Sequence, residues 1–330
     1  WLLYHLTDGN VHATDVSNAS RTLLFNIKSM DWDSKMLSFL RVPREILPEV
    51  RPSASIFGNY ESESFGSIPI AAILGDQQSA LFGQCCFTPG TAKNTYGTGC
   101  FMLMNTGSQI PDTPSGLLNT VAWQIDGKTT YALEGSVFVA GAALQWLRDG
   151  IEILEDVARS SSIAQADSEL NPHSSVVVVP AFAGLGTPYW DMHARGAIFG
   201  LTRDTDRNAI IRATLESLAF SSQDVLNAMQ EDSDISLLKL QVDGGAAAND
   251  YLMQFQANLL GVSVVRPAFL ESTAAGVAFM AAISMGVVTQ NELLESKTVE
   301  RIFEPQQSVE WRAARSQVWS RAIGRTITKP

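Results

Sequence analysis

A carboxylate and two amides, Asp76-Gln77-Gln78, directly follow an apolar run of strand length. The run covers residues 68–74 without interruption, which is typical of a strand that is covered on both faces. Open α/β sheets bind their ligands beyond the carboxyl ends of such strands, so Asp76 is a candidate ligand-binding residue. The structural alternative is that the Asp76 carboxylate caps the helix that follows.

Two glycine-rich turns could bring backbone N–H groups close to a polyphosphate. Gly97-Thr98-Gly99 is predicted to join two strands, with the Thr98 hydroxyl as an additional donor. Gly244-Gly245 follows an alternating strand and precedes a helix that begins at Asn249 or Asp250. Ordinary hairpins and strand–helix junctions use the same glycines, and neither turn has Walker or GxGxxG spacing. Both alternatives therefore stay open for each turn.

Gly141 and Gln145 are four residues apart on a predicted helix and so share one of its faces. The glycine would leave room for a ligand beside the amide. The alternative is close helix packing, with Gln145 as an ordinary surface amide.

The elements that would position these residues alternate between strands and helices, which indicates an α/β fold. We predict strands at residues 92–96, 100–104, 121–124, 129–133, 175–179 and 238–242, and a hairpin strand at residues 1–6 that turns at residues 8–10. We predict helices at residues 33–40, 80–86, 136–148, 206–229, 250–260 and 273–285. Core positions on the longest helix are predicted at Ile211, Leu215, Leu218, Val225 and Met229.

Composition excludes several classes of function. The 330 residues carry 23 Lys and Arg against 34 Asp and Glu, a net charge of -11, and no basic cluster that would bind nucleic acid or anionic lipid. Three cysteines without a CxxC pair favour a reducing cytoplasm, and the four histidines have no metal-binding spacing. The uncharged residues 272–291 are too short in their apolar part to span a membrane and are predicted to form a buried helix.

In their order along the chain, these motifs strongly resemble those of the FGGY carbohydrate kinases. The matching segments are residues 17–22, 75–83, 92–101, 188–191, 194–201 and 242–246. The resemblance implies an actin-like ATPase fold of the ribonuclease H type, with two α/β domains around a cleft. Residues 1–87 would be the carboxyl-terminal remainder of the first, substrate-binding domain, and residues 88–330 the second, nucleotide-binding domain, with the boundary at the turn of residues 88–90.

The same resemblance implies an activity, the ATP-dependent phosphorylation of glycerol to sn-glycerol 3-phosphate, with ATP and Mg²⁺ as cofactors. Asp76 matches the general base, which also binds the substrate and contacts Mg²⁺ through water, and Gln77 and Phe101 match glycerol-binding positions. Nucleotide-binding positions are implied at Gly97, Thr98, Gly99, Gly141, Gln145, Gly244, Gly245 and Asn249. Expected partners are glycerol and ATP or ADP, with no nucleic acid and no integral membrane association, and a homo-oligomer is left open.

Departures from the family pattern set further expectations. The family's Asp-x-Gly-Thr phosphate motif is absent, and we expect roughly a third of the usual chain to be missing at the amino end. We therefore predict that these 330 residues alone are catalytically incomplete. Ser67 stands where glycerol-phosphorylating members inhibited by a sugar bisphosphate commonly carry arginine, which argues against that inhibition.

Two alternative functions remain at this stage. One is another FGGY kinase, acting on a pentulose or gluconate; Phe101 favours glycerol, because a small triol is held partly by packing of its carbons against aromatic rings. The other is a noncatalytic, actin-like nucleotide-binding module.

Overall fold

The computed structural model describes residues 1–269 and 271–328. Its strands are β1 (Ala13–Asp15), β2 (Phe25–Asn26), β3 (Asp31–Trp32), β4 (Glu49–Arg51), β5 (Ala54–Ser62), β6 (Gly66–Ala72), β7 (Thr91–Tyr96), β8 (Cys100–Gly107), β9 (Leu118–Ile125), β10 (Lys128–Val137), β11 (Val177–Val179), β12 (Ala197–Phe199), β13 (Lys239–Asp243), β14 (Val264–Pro267) and β15 (Val299–Phe303). Its α-helices are α1 (Leu2–Leu6), α2 (Val16–Ala19), α3 (Ser34–Leu40), α4 (Asp76–Gly83), α5 (Gly141–Gln145), α6 (Ser160–Leu170), α7 (Arg207–Ser233), α8 (Asp250–Leu260), α9 (Ser272–Ser284), α10 (Gln290–Ser296) and α11 (Val309–Thr326).

One large mixed sheet organises the chain from residue 91 onward. Its seven strands run in the order β15-β14-β13-β7-β8-β10-β9. Strand β13 is parallel to both of its neighbours, β7 and β14, and the remaining pairs are antiparallel. The predicted strands on both sides of the Gly97-Thr98-Gly99 turn lie at the centre of this sheet, and the predicted α/β class is confirmed.

Both faces of the sheet are covered, so successive side chains along a strand, which point to opposite faces, are both buried. Met102 of β8 belongs to the core that includes Leu218 of α7. Leu103, on the opposite face, belongs to the core that includes Phe82 of α4 and Met280 of α9. Polar residues that share the face of Leu103 are therefore enclosed between the sheet and α4.

The first residues do not form the predicted hairpin strand. They form α1, because the chain closes local hydrogen bonds: the Thr7 hydroxyl donates to the Leu3 carbonyl at 2.9 Å and the Gly9 N–H donates to the Tyr4 carbonyl at 2.7 Å. The next predicted helix is confirmed, since α3 begins after Asp33, whose carboxylate accepts from two backbone N–H groups.

The apolar run before Asp76 is a strand, but the prediction that both of its faces are covered is wrong. Strand β6 pairs with β5 in a separate two-stranded ribbon. Ile68 is 39% exposed, and burial begins at Ala71 and Ala72, where the ribbon reaches the body of the protein. A ribbon with no third strand leaves its outer part to the solvent, which an apolar sequence does not reveal.

The predicted helix at residues 136–148 begins too early. Strand β10 continues to Val137, which pairs with Cys100, and α5 begins at Gly141. After Gln145 the helix continues as a π-helical turn, Trp146–Gly150.

The predicted helix at residues 80–86 lies too far along the chain: α4 begins at Asp76 and ends at Gly83, because Cys85 turns the backbone with a φ of +53°. The predicted helices at residues 206–229 and 250–260 are confirmed as α7 and α8. All five apolar positions predicted on the long helix are fully buried in α7. Asn249, rather than Asp250, caps α8 by accepting from the Leu252 N–H at 2.9 Å, and Gly261 ends that helix with a φ of +72°.

Helices α4 and α9 cross with their backbones in contact. A Cβ atom on Gly83 would lie 2.1 Å from the Ser272 carbonyl oxygen, and one on Gly276 would lie 1.8 Å from the Ser79 carbonyl oxygen. The Ser79 hydroxyl donates to the Thr273 carbonyl at 2.6 Å. Glycine is therefore required at both positions, and the crossing fixes the helix that begins with Asp76.

Helix α9 is the element predicted as a buried helix, and that prediction is partly wrong. Ser272, Gly276 and Met280 line its buried face, whereas Ala274 and Ala278 are exposed. Within residues 1–269 and 271–328, no helix combines the length and the apolar character needed to cross a membrane.

A buried arginine joins three helices, two of which, α6 and α8, begin beside the candidate site. Arg212 of α7 donates to Glu216 at 2.7 Å, to the Tyr251 hydroxyl of α8 at 3.2 Å and to Asp167 of α6 at 3.3 Å. A buried ion pair of this kind stabilises a fold when its remaining hydrogen bonds are made, as they are here. The carboxyl-terminal half of α6 and the beginning of α8 are thereby held against α7.

The carboxylate of Asp224 should make the stability of the fold depend on pH. Trp319 Nε1 at 2.6 Å and the Tyr189 hydroxyl at 2.9 Å both donate to its Oδ2 atom, and burial raises the pKa of Asp224 to about 6 from an ordinary 3.8. The folded chain therefore binds this proton more tightly than the unfolded chain. The free energy of unfolding should fall by up to about 3 kcal/mol as pH rises from about 4 to about 6.

An Asp224→Asn variant should lack this decrease, because an amide does not titrate in this pH range. Its single amide oxygen can still accept both hydrogen bonds. We expect it to be more stable than the parent above about pH 6, and to lose that advantage towards about pH 4, in urea unfolding measurements. Asp126→Asn, in an exposed hairpin turn, is the control, and its free energy of unfolding should depend on pH as that of the parent does. Parallel pH profiles for the parent and Asp224→Asn would contradict the prediction.

Candidate active site

A cavity of about 530 Å³ lies between the β7–β8 hairpin, α5 and the beginnings of α6 and α8. This volume is in the range of small-molecule sites. Of the residues predicted to bind a nucleotide, the cavity is lined by Gly97, Thr98, Gly141, Gln145, Gly245 and Asn249. The remaining lining residues, which the sequence did not indicate, are Tyr96, Leu144, Arg148, Val157, Ala158, Ser161, Ala246 and Ala248. The fold thus brings together residues from distant parts of the chain.

The Gly97-Thr98-Gly99 turn caps helix α5 with its carbonyl groups. The N–H groups of Ala140 and Ala142 donate to the Thr98 carbonyl at 2.8 and 3.2 Å, and the Gly141 N–H donates to the Gly97 carbonyl at 3.0 Å. The Gly97 N–H is also used, because it donates to the Gly99 carbonyl at 2.9 Å. All three N–H groups of the turn were expected to donate to phosphate, but only those of Thr98 and Gly99 are available. Neither of them donates to a described backbone group outside the strands.

Glycines serve two purposes at this site. A Cβ atom on Gly99 would lie 2.3 Å from the Val137 carbonyl oxygen, and one on Gly244, which has a φ of +85°, would lie 2.4 Å from the Tyr96 carbonyl oxygen. These two residues do not line the cavity; they let backbone segments approach each other. A Cβ atom on Gly245, by contrast, would have no described heavy atom within 4 Å. The absence of a side chain at Gly245 therefore leaves space in the cavity.

Gly141 serves both purposes that the sequence left open, room for a ligand and close packing. It lines the cavity, and a Cβ atom there would lie 2.7 Å from the Gly97 carbonyl oxygen. Gln145, one turn further along α5, is exposed to the cavity, and its amide has no hydrogen-bond partner among the described residues.

The polar groups of Asn249 and Thr98 differ in their availability. The Asn249 amide is occupied, because its oxygen caps α8 and its nitrogen donates to the Ser160 hydroxyl at 3.0 Å. The Thr98 side chain is exposed at the hairpin tip, and within the described residues its hydroxyl makes no hydrogen bond. Thr98 can therefore donate to a ligand, whereas Asn249 offers the cavity mainly its backbone and stem.

Asp76 is the first residue of α4 and does not serve as its side-chain cap. Gly75 occupies the cap position, and Asp76 is exposed. Its Oδ1 atom accepts from the Gln77 N–H at 2.7 Å, while its Oδ2 atom has no donor among the described residues. One carboxylate oxygen is thus fixed by the backbone and the other can accept a proton.

Phe101 and Gln77 lie on the same side of the large sheet. Phe101 is 46% exposed and pairs in register with Thr95 of β7. Two residues earlier on the same face of β7 is Lys93, which hydrogen-bonds to Gln77. Gln77 on α4 and Phe101 on β8 therefore lie on the same side of the sheet, next to the hairpin that leads into the cavity.

Lys93 is a site residue that sequence reasoning missed. It is fully buried, and its ammonium donates to Gln77 Oε1 and, at 3.0 Å, to the Thr95 hydroxyl. Burial lowers the pKa of Lys93 to about 8, and this is opposed by the carboxylates of Asp243 and Glu134. The sequence did place Lys93 on the same face of the predicted hairpin as Phe101. Its burial could not be foreseen, because it depends on helix α4 packing over it.

The residues present fit an ion held mainly by phosphate oxygens and water. Throughout residues 1–269 and 271–328, no three His, Cys, Asp or Glu side chains are grouped to hold a metal. Asp76 offers one exposed carboxylate oxygen, and Mg²⁺ commonly binds proteins through one or two carboxylates with several waters retained.

Family models match most of the chain. The amino-terminal domain of the FGGY family of carbohydrate kinases matches residues 1–83, and its carboxyl-terminal domain matches residues 92–285. The chain belongs to this family. Among curated relatives, the glycerol kinase of Caldanaerobacter subterraneus subsp. tengcongensis is 54% identical over 329 residues, which are 99% of this chain and 66% of that protein. The glycerol kinase of Alkaliphilus metalliredigens is 52% identical over 330 residues, which are 99% of this chain and 65% of that protein.

Solved structures of a glycerol kinase and a xylulose kinase match the fold. Plasmodium falciparum glycerol kinase with ADP matches with a TM-score of 0.94 and 34% identity, over 100% of this chain and 66% of that one. Xylulose kinase from Lactobacillus acidophilus matches with a TM-score of 0.83 and 22% identity, over 98% and 65%, which supports the fold alone. The FGGY chain thus spans 65–66% of the length of its first curated relatives, and its predicted division between residues 87 and 88 stays a prediction.

Proposed function

We propose that this chain supplies the nucleotide site and the general base of a glycerol kinase, which transfers the γ-phosphoryl group of ATP to a terminal hydroxyl of glycerol. One observation carries the proposal: six separately predicted nucleotide residues line one cavity, at the hairpin whose strands also bear Phe101 and the partner of Gln77. The glycerol kinases at 52–54% identity and the ADP complex at 34% identity support it.

In this proposal Asp76 accepts the proton of the attacking hydroxyl. Phosphoryl transfer has a loose transition state, so the protein mainly aligns the hydroxyl with the γ-phosphorus atom and neutralises charge. A carboxylate is basic enough for that task because the proton leaves as the new P–O bond forms. The fixed Oδ1 atom and the unoccupied Oδ2 atom of Asp76 suit this role.

The phosphate groups would be met by the hairpin tip. The N–H groups of Thr98 and Gly99 and the Thr98 hydroxyl point to a shared anion-binding role, since oriented donors stabilise charge that develops on phosphate oxygens. The nucleoside would occupy the cavity between Gly141 and Gln145 on one side and Gly245 and Asn249 on the other. Mg²⁺, when bound, would neutralise phosphate charge, with Asp76 holding it through water.

Glycerol would bind on the α4 side of the hairpin. Phe101 offers an exposed ring for the carbon chain of the polyol, and Gln77 offers an amide next to Asp76. Phe101 favours glycerol over a pentulose or gluconate, because a small triol is held partly by packing of its carbons against aromatic rings. A noncatalytic nucleotide-binding module is the other alternative.

Release of ADP from MgATP tests the proposal. It is measured with glycerol, with D-xylulose, with gluconate and with no acceptor. Two proteins are compared: the 330-residue chain, and an extended chain that carries, ahead of Trp1, the leading third of the Caldanaerobacter relative. We expect glycerol-dependent turnover by the extended chain and none by the 330 residues alone.

Other outcomes would change the assignment. Turnover that depends on xylulose or gluconate would show that this sugar or sugar acid, rather than glycerol, is the substrate. ADP binding without turnover in the extended chain would support the noncatalytic module. Glycerol-dependent turnover by the 330 residues would show that the predicted catalytic incompleteness is wrong.

We also propose a reducing, cytoplasmic location. Cys85, Cys86 and Cys100 are buried thiols without disulfide bonds, which suits a reducing compartment.

A further inference from the structure

The contact between Lys93 and Gln77 fixes the orientation of an amide that would face the substrate. An ammonium group has three donors and no acceptor, so the atom of Gln77 that meets it must be the oxygen. The Gln77 Nε2 group then points away from Lys93, and it donates to no described residue. The donor side of the Gln77 amide is therefore free to meet a ligand.

We propose that Lys93 is a positioning residue that holds Gln77 so that its amide meets the polyol as a hydrogen-bond donor. Lys93 is fully buried and acts through Gln77 rather than by touching the substrate. The inference rests on the proposed function, since it concerns how that site recognises its acceptor.

Asp76 and Gln77 then form a complementary pair. The Asp76 Oδ2 atom accepts from the hydroxyl that attacks, whereas the Gln77 Nε2 group donates to the oxygen of a neighbouring hydroxyl. Two adjacent hydroxyl groups on one carbon chain satisfy both residues at once. With a reversed Gln77 amide, the polyol would meet two acceptors, Asp76 Oδ2 and Gln77 Oε1. Both hydroxyl groups would then have to donate.

Surrounding charges keep Lys93 in place. Lys93 pairs in register with Gln241 of β13 on one side and with Leu103 of β8 on the other, and Leu103 pairs with Glu134 of β10. One carboxylate oxygen of Glu134 and one of Asp243 are buried without a hydrogen-bond partner among the described residues. These anions stabilise the ammonium between the sheet and α4, so its donors stay directed at Gln77 and Thr95.

A substitution series in the extended chain tests the role. We expect Lys93→Met to raise the KM for glycerol about tenfold and to change the KM for MgATP less than about twofold. In a Gln77→Ala background the same substitution should add less than about twofold, because the residue it acts through is gone. Gln77→Glu keeps a partner for Lys93 but offers the polyol an acceptor, and should also raise the glycerol KM about tenfold.

Lys297→Met is the matched control. Lys297 is a half-buried lysine, and its ammonium donates to the Gln84 carbonyl at 2.7 Å, away from Gln77. Its substitution should leave the glycerol KM within about twofold of the parent. The proposal is overturned by equal rises in both KM values for Lys93→Met, by effects that multiply in the double variant, or by an unchanged glycerol KM in Gln77→Glu.

A measurement without turnover separates this inference from the proposed function. The side-chain amide signals of Gln77 in a ¹⁵N–¹H spectrum are assigned by their loss in Gln77→Ala. They should shift in Lys93→Met and keep their positions in Lys297→Met. If the extended parent shows no glycerol-dependent turnover, the proposed function fails; unmoved Gln77 signals in Lys93→Met overturn the positioning role itself.

Discussion

Asp76→Asn in the extended chain is expected to lower kcat for glycerol by about 10² to 10⁴-fold, the usual contribution of a general base. The amide cannot accept the proton of the attacking hydroxyl at the oxygen that Asp76 leaves unoccupied. The affinity for ADP should stay within about twofold, because Asp76 does not line the nucleotide cavity. Steady-state ADP release gives kcat, and calorimetric titration gives the ADP affinity.

Asp126→Asn is the control for the loss of one negative charge, because it lies in an exposed turn between β9 and β10. It should keep parental kcat. A full kcat for Asp76→Asn would remove Asp76 from the chemistry, and a parallel loss of ADP affinity would place it in the nucleotide site instead.

Gly245→Leu is expected to weaken ADP binding by at least about tenfold, or 1.4 kcal/mol, without unfolding the chain. A Cβ atom at Gly245 meets no described atom within 4 Å, and the residue lacks the positive φ that would strain a side chain. The added side chain therefore grows into the space between Gln145 and Asn249, where we place the nucleoside. Titration calorimetry with ADP on the 330-residue chain measures the effect directly.

Gly324→Leu provides the comparison, since Gly324 of α11 is also open to space and lies outside the cavity. Both variants should unfold within about 1 kcal/mol of the parent, whereas ADP affinity should fall in Gly245→Leu alone. Unchanged affinity in both would mean that the nucleotide binds elsewhere. Gly244 and Gly99 are unsuitable for this test, because side chains there collide with backbone atoms.

The glycine turns and the helix caps could be predicted because they depend on short-range geometry. Gly97-Thr98-Gly99 forms its hairpin from adjacent strands, and Gly261 ends α8 through its own positive φ. The long helix was equally predictable, because 27 residues repeat the same apolar period over many turns.

Burial that depends on distant segments could not be predicted. Ile68 is apolar yet exposed, because β6 gains no third strand, and Lys93 is charged yet buried, because α4 and β13 enclose it. The roles of the glycines differ only in the folded structure: Gly244 and Gly245 are neighbours in sequence, but one permits a close backbone approach and the other leaves space for a ligand.

The crossing of α4 and α9 also sets an order of events during synthesis. The hydrogen bond from Ser79 to Thr273 joins residues 194 positions apart, so the contact between α4 and α9 cannot form until α9 has been made. At about 5–20 residues per second, translation needs roughly 10–40 s for that stretch. During this interval Leu81 and Phe82 lack the core partner that Met280 of α9 supplies. The contact of α9 with the helix that carries Asp76 and Gln77 therefore forms only after the strands and glycines of the nucleotide cavity have been synthesised.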